Sequence, residues 1–586
     1  MSPAVATSPE TLLQRWQDAW PQALEAWSRY TRLVDPRLCA SRMEAAAEGL
    51  GGSFAMIRLK DQRIVVDLES VRELGLEDYA VEILAHEIGH HVLVPANVTD
   101  QFRLLARIRA GLPTLERHAP MVANLYADLI INDRLQRQAG LRLADIYRKL
   151  SAHGGKGPPG AVWNLYLRIY ENLWQLAPGS LGAQKGDARS EGDAWLGARL
   201  VRVYANDWLA GAGRFATLLL HYLVEDADAA PQEAIRRLLD TETAADGCEP
   251  YGGAMIEPEE AEGAIHPGAD PAVTGSDEAP EVPSRPSAGQ AREPFEYGEI
   301  LRAAGLRVDN HEAAVRYYRE RALPYLVPFP QRRVPDSPEP QPEGLEPWEM
   351  GDPLDALDGL QSVLQSPRVV PGLTTVRRLY GQEAGQVLQR RPIDLDLYVD
   401  SSGSMPNPQQ QVSYLSLAGA VIALSALRAG ARVQVTLWSG KNQFMQTAGF
   451  VADEHAILRV LTGFYGGATA FPIHLLRATH LGQARRERPV HILMISDDGI
   501  TTMFDRDEQG HDGWEIAGRA LAAAGGGGSM ALSIPPDWEA VRTGWTSPAY
   551  EQLRQARAEQ GWDIFAISRL EQLLEFARAF SRKHYA

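Results

Sequence analysis

The stretch VEILAHEIGHHVLVP, residues 81–95, places two histidines four positions apart with a glutamate directly after the first. Four residues make about one helical turn, so His86 and His90 project side by side and can reach a single zinc ion. Glu87 stands beside them as a general base, placed to take a proton from an attacking water and pass it to a leaving amine. Val81, Leu84 and Ile88 form the opposite face and anchor the helix. A catalytic zinc site needs a third protein ligand, and MVANLYADLIINDRL, residues 121–135, offers one. Asn124, Asp128 and Asn132 are spaced i, i+4, i+8 on an otherwise apolar helix. A buried polar stripe needs partners, which a metal and its supporting hydrogen bonds supply. Asp128 is the expected third ligand, with Asn124 and Asn132 orienting it; Asp133 is the alternative. His91 is given no role.

A second constellation lies in LYVDSSGSMPNP, residues 397–408. Asp400, Ser402 and Ser404 follow a strand ending at Val399. Ligands gather at the carboxyl ends of strands in open parallel sheets. One carboxylate and two hydroxyls there form a hard oxygen cage, suited to Mg²⁺ or Mn²⁺ rather than zinc. Neighbouring loops offer Thr469, in GGATAF, and Asp497, in ISDDG, with Asp498 as the alternative.

The elements that must position these residues can be read from hydrophobic periodicity. Residues 10–48 carry helical spacing, and SFAMIRLK and RIVVDL around Asp61-Gln62 predict a β-hairpin. A helix over 79–94 ends at Pro95, and further helices are expected over 101–112, 117–138, 141–152, 161–176, 192–225 and 231–240. Residues 1–244 thus read as a mainly helical domain with one small sheet. No Lys or Arg occurs between Arg237 and Arg285, and 245–293 reads as a solvated, acidic, Pro/Gly-rich linker. Residues 294–391 read as a helical and Pro-rich connector. From 392 to 586, short β-rich runs alternate with helices, which predicts an α/β domain with a doubly wound, largely parallel sheet.

HEIGHH followed by N-x-x-A-D-x-x-I-N resembles a family of bacterial metallopeptidase-like domains joined to a C-terminal von Willebrand factor A domain. The resemblance implies a zincin-like N-terminal fold with His86 and His90 as ligands, Glu87 as the acid, and Asp128 and Asn132 within its A-D-x-x-I-N pattern. The set Asp400, Ser402, Ser404, Thr469 and Asp497 resembles the metal-ion-dependent adhesion site of von Willebrand factor A domains, which have a Rossmann-like fold. That site implies an open coordination position completed by a partner's carboxylate. The combination further implies a MoxR-type AAA+ ATPase as partner and a protein or peptide as substrate.

The bulk numbers narrow the choice. A chain of 586 residues, 45% hydrophobic and 23% charged, is too long for one core. Its net charge of −17 argues against nucleic acid or anionic membrane as the main partner. Two cysteines in no ligand spacing suit a reducing compartment. With neither an export signal nor a long uncharged apolar run, the expected location is cytoplasmic. Two functions fit these readings: an intracellular zinc metallopeptidase controlled through its C-terminal domain, or a non-catalytic adaptor of an ATPase whose HExxH domain is structural.

Overall fold

The computed structural model describes residues 9–152, 160–184, 186–227, 235, 238–241, 244–248, 250, 252–262, 264–275, 287, 289–335, 339–383, 388–482 and 488–584. It divides into two compact units. The first holds 1–320 with 408–412, and the second holds 321–407 with 413–586.

The first unit opens with α1 (Pro9–Glu25), β1 (Arg37–Cys39) and α2 (Arg42–Ala47). The expected hairpin follows as β2 (Ala55–Arg58) and β3 (Arg63–Asp67), paired antiparallel with Ile57 opposite Ile64. Strand β1 joins parallel to β3, giving the order β1-β3-β2 with β2 at an edge. Ile57, Ile64, Val65 and Val66 are fully buried, so this small sheet is covered on both faces. Helices α3 (Leu68–Glu73), α4 (Ala80–Val92), α5 (Val98–Ala110), α6 (Ala119–Gln138), α7 (Leu143–Ala152) and α8 (Ala161–Leu173) come next. The helix expected over 192–225 is two, α9 (Ala188–Val203) and α10 (Trp208–Glu225), broken at 204–207. The helix expected over 231–240 lies mostly outside the described residues.

Helix α6 is buried on every side from Val122 to Asp133, as a helix in the middle of a domain must be. It packs against α4 closely enough that a Cβ built on Gly89 would lie 2.5 Å from Ile131 Cγ2 and 2.8 Å from Trp27 Cζ2. Gly89→Ala should therefore destabilise the protein. Better helix propensity adds ~1 kcal/mol, but overpacking costs about 1–3 kcal/mol. The expected result is a lower urea midpoint with an unchanged slope; a raised midpoint would show that α4 and α6 can part at no cost.

The solvated linker expected over 245–293 does not describe residues 252–262 and 264–275. Ala254 and Val273 are fully buried, and Asp270 is nearly so. The acidic groups that read as solvated are paired with arginines distant in sequence. Glu257 accepts from Arg103 Nε (2.8 Å) and Arg107 Nη2 (2.9 Å), both on α5. Asp270 accepts from Arg214 Nε (2.6 Å), and Glu260 pairs with buried Arg292. Residues 276–286 lie outside the described residues.

The connector expected over 294–391 is divided too. Its helices Pro294–Ala303 and Asn310–Ala322 fall almost wholly in the first unit. The Pro-rich part forms two antiparallel ribbons in the second: β4 (Gln331–Pro335) with β7 (Leu388–Pro392), and β5 (Glu339–Pro347) with β6 (Val376–Glu383). Proline is tolerated because each strand of a ribbon has one free edge.

The rest of the second unit is an α/β assembly around a six-stranded sheet of β8 (Asp394–Asp400), β9 (Val433–Trp438), β10 (Phe444–Gln446), β11 (Val490–Ser496), β12 (Gly525–Leu532) and β13 (Asp563–Ala566). The order is β10-β9-β8-β11-β12-β13, with β10 antiparallel and the others parallel. Strands β8, β9 and β11 are buried at every residue, and the polar side chains among them are paired, as Asp396 is with Gln434 and His480. The winding reverses between β8 and β11, so a crevice is expected at their carboxyl ends. Among the described residues, no helix of the chain is long and apolar enough to cross a membrane.

Candidate metal centre

Helices α4 and α6 bring two stripes of period four face to face. His86, His90, Asp128 and a residue not foreseen, Asp240, present ligand atoms that all lie within 4.8 Å of one another. His90 Nε2 is 3.5 Å from Asp128 Oδ1 and 3.3 Å from Asp240 Oδ1. His86 Nε2 is 3.7 Å from Asp128 Oδ1 and 3.0 Å from Asp240 Oδ2. His90, Asp128 and Asp240 are buried; only His86 keeps some exposure, 14% of its side chain, so the cluster opens on that side.

Hydrogen bonds set the tautomers. His90 Nδ1 lies 2.8 Å from the Val94 carbonyl, which can only accept, so the proton sits on Nδ1 and the Nε2 lone pair faces the cluster. Asn132 Nδ2 donates to the hydroxyls of Tyr147 (3.1 Å) and Tyr170 (2.9 Å). Its oxygen is thereby left to accept from His86 Nδ1 at 2.8 Å. Asn132 therefore orients His86, not Asp128 as the stripe suggested. A helix face answers to whatever packs on it, and His86 lies across from Asn132. Asn124 has the expected role, its amide nitrogen 3.2 Å from both Asp128 oxygens. The same nitrogen donates to the Leu238 carbonyl (2.8 Å), and its oxygen accepts from the Thr241 backbone N–H (3.1 Å) and hydroxyl (2.8 Å). Asn124 thus ties Asp128 to the segment carrying Asp240. Asp133, the alternative ligand, is engaged by Arg137 (2.7 Å) and is not in the cluster.

The electrostatics of the cluster would suit a cation. Glu87 is 1% exposed, and burial pushes its carboxyl well up, with the charges of Asp240 and Asp128 adding to the effect. Burial raises Asp128 likewise, and the Asp240 charge adds to it. Glu87 Oε2, His90 Nε2 and Asp240 Oδ1 are buried without a hydrogen-bond partner among the described residues. Burial works to raise the Asp240 carboxyl too, but His90 and His86 beside it bring it down; a divalent ion among these groups would ease the crowding of acids. The residues fit a metal. Beside them lies a cleft of about 420 Å³, lined on its apolar side by Phe54, Ile83, Leu143, Ile146, Leu150 and Leu238.

In the second unit Asp400 closes β8, and Asp497 follows β11 on the other side of the crevice. Asp400 Oδ1 accepts from the Ser402 N–H (2.8 Å) and Oδ2 from the Ser496 hydroxyl (2.6 Å). The Ser402 and Ser404 hydroxyls are 3.1 Å apart. The loop before Thr469 is pinned to this turn, because Gly403 N donates to Gly467 O and Gly466 N to Ser401 O, both at 2.8 Å. Asp497 Oδ1 accepts from Gly499 N–H (2.8 Å), and a Cβ on Gly499 would meet both Thr469 Cγ2 (2.7 Å) and Asp497 Oδ1 (2.9 Å). Burial pushes the Asp400 carboxyl up to about 6, with the Asp497 charge adding to it against the Ser496 and Ser402 hydrogen bonds. Asp498 opens the following 3₁₀ turn. A cleft of about 830 Å³ adjoins Thr469, with Lys441, Phe444, Phe471 and His474 among its walls.

No family model, curated protein or solved structure matches this chain. Asp240 is the one site residue that sequence reasoning missed. It lies 150 positions beyond His90, in LLDTET at the edge of an acid-rich stretch, where the only signal is the two leucines before it.

Proposed function

We propose that this chain is a zinc-dependent metallopeptidase whose access is controlled through a Mg²⁺-dependent protein-binding domain of von Willebrand factor A type, acting with a MoxR-type AAA+ ATPase. The observation that carries the peptidase half is the convergence of His86, His90, Asp128 and Asp240 around buried, unpartnered donor atoms, with Glu87 alongside. Zinc held there would lower the pKa of water and polarise a scissile carbonyl. Glu87 receives the proton of the attacking water and hands it to the leaving amine. His86 and His90 are held by Asn132 and the Val94 carbonyl so that their lone pairs stay aimed. The apolar cleft receives a side chain of the substrate, and edge strand β2, whose preceding residues Ser53 and Phe54 line that cleft, offers main-chain groups to an extended peptide. The second half rests on the oxygen donors gathered where the winding of the large sheet reverses; the ATPase rests on the resemblance alone.

The test is metal content by mass spectrometry on protein purified without added metal. About one zinc per chain is expected in the wild type, and none in His86→Ala or Asp128→Ala. A metal-free wild type that also refuses added zinc would end the peptidase reading. One feature favours the adaptor alternative: four protein ligands are the mark of a closed, structural zinc site, and Asp240 makes the fourth.

A further inference from the structure

Asp128 and Asp240 are not equivalent. Asp128 sits within a buried helix, with Asn124 on both of its oxygens and the Tyr166 hydroxyl near one of them. Asp240 sits on irregular backbone, its carboxylate facing His86 and His90, with Oδ1 unpartnered. The four His–Asp separations are 3.0 to 3.7 Å, with His86 Nε2 nearest Asp240 Oδ2 and His90 Nε2 nearest Asp240 Oδ1. All four side chains could hold one ion together, and Asp240 would then occupy the position that catalysis needs open.

The segment around Asp240 fills more than that position. Leu238 lines the apolar side of the cleft. Asn124 grips the segment by the Leu238 carbonyl and the Thr241 N–H, one acceptor and one donor of its main chain. An oxygen on the metal, an apolar side chain in the cleft and a main chain held by an amide are what a bound peptide would supply. Yet the segment belongs to the chain itself.

We infer that Leu238–Thr241 is a built-in inhibitor segment, with Asp240 as a removable fourth ligand that keeps the metal centre closed until the segment withdraws. This rests on the zinc reading above and reconciles a four-ligand site with the presence of Glu87. A peptide whose apolar side chain follows the scissile carbonyl would compete for the place that Leu238 and Asp240 hold.

The test uses full-length protein loaded with Co²⁺, titrated with acetohydroxamate and followed by visible absorption, with zinc content measured in parallel. Wild type should hold about one metal per chain and bind acetohydroxamate weakly. Asp240→Ala, and Asp240→Asn should the alanine variant fail to fold, should keep the metal and bind acetohydroxamate at least about tenfold more tightly. A variant that keeps its metal but binds acetohydroxamate no better than wild type would overturn the inhibitor assignment. Loss of the metal from folded Asp240→Ala or Asp240→Asn would make Asp240 an obligatory ligand, overturning the assignment while leaving the metal centre intact. If wild type takes up neither zinc nor Co²⁺, the underlying zinc reading falls and this one with it.

Discussion

Glu87→Gln should abolish peptide hydrolysis, by ~10²–10⁴-fold, while about one zinc per chain stays bound. Glutamine keeps the shape of the side chain and loses only its ability to take a proton. Glu87 is absent from the set of converging ligand atoms, so metal retention is the expected companion result. The same change removes a carboxyl group buried beside two others, so the metal-free variant should be no less stable than metal-free wild type. Zinc content and cleavage of an unfolded protein, measured on the Asp240→Ala background as well as on wild type, decide the matter. If Asp240→Ala cleaves and the double variant does not, Glu87 is the base. If cleavage is equal in both, the base lies elsewhere. If no variant cleaves anything while zinc remains, the adaptor reading leads.

Asp400→Ala should have a comparable effect on the other half of the chain. Its carboxylate is buried and bonded on both oxygens, to the Ser402 N–H and the Ser496 hydroxyl. Asp497 shares its field, so two acids face one crevice. In the proposed Mg²⁺ site their mutual repulsion would become shared attraction to the ion, and without Asp400 that site would lose its carboxylate nearest the strand end. If the proposed ATPase is the partner, its binding should weaken by about 30- to 5,000-fold, the range for removing one member of a buried charged pair. Chelation should reproduce the loss in wild type. Calorimetry in Mg²⁺ and in EDTA reads both effects. A complex of equal affinity in EDTA would remove the metal from partner recognition, whatever the variant does. Folding should survive, because β8 keeps its neighbours on both sides, and a circular dichroism spectrum checks this.

How much of this was legible in the chain depends on the range of the interaction. The His86–Glu87–His90 triplet and the Asn124–Asp128–Asn132 stripe are readable because a helix repeats every 3.6 residues. The β2–β3 hairpin is equally local, with its turn only four residues long. Strands β8, β9 and β11 announce themselves as short runs rich in β-branched, aromatic and other large apolar residues, although each carries polar residues as well. The DSSGS turn is legible because its acid and hydroxyls fall within five residues directly after an apolar-rich strand.

Other features depend on pairs far apart in the chain. Whether Asn132 holds Asp128 or His86 was set by which helix lies across from α6 and by the tyrosines that take its amide nitrogen. The acids near 257–270 looked solvated because their partners, Arg103, Arg107 and Arg214, sit some 55 to 155 residues earlier. The Pro-rich connector looked irregular because its ribbon partners come 29 to 61 residues later. Asp240 belongs with these. Sequence alone determined which helices could carry a metal and which turn could hold a second one, because those rest on spacing within a few residues. Only the tertiary structure decided that Asp240 joins the first site, because a fourth ligand from a distant segment obeys no local period, only the packing that brings it there.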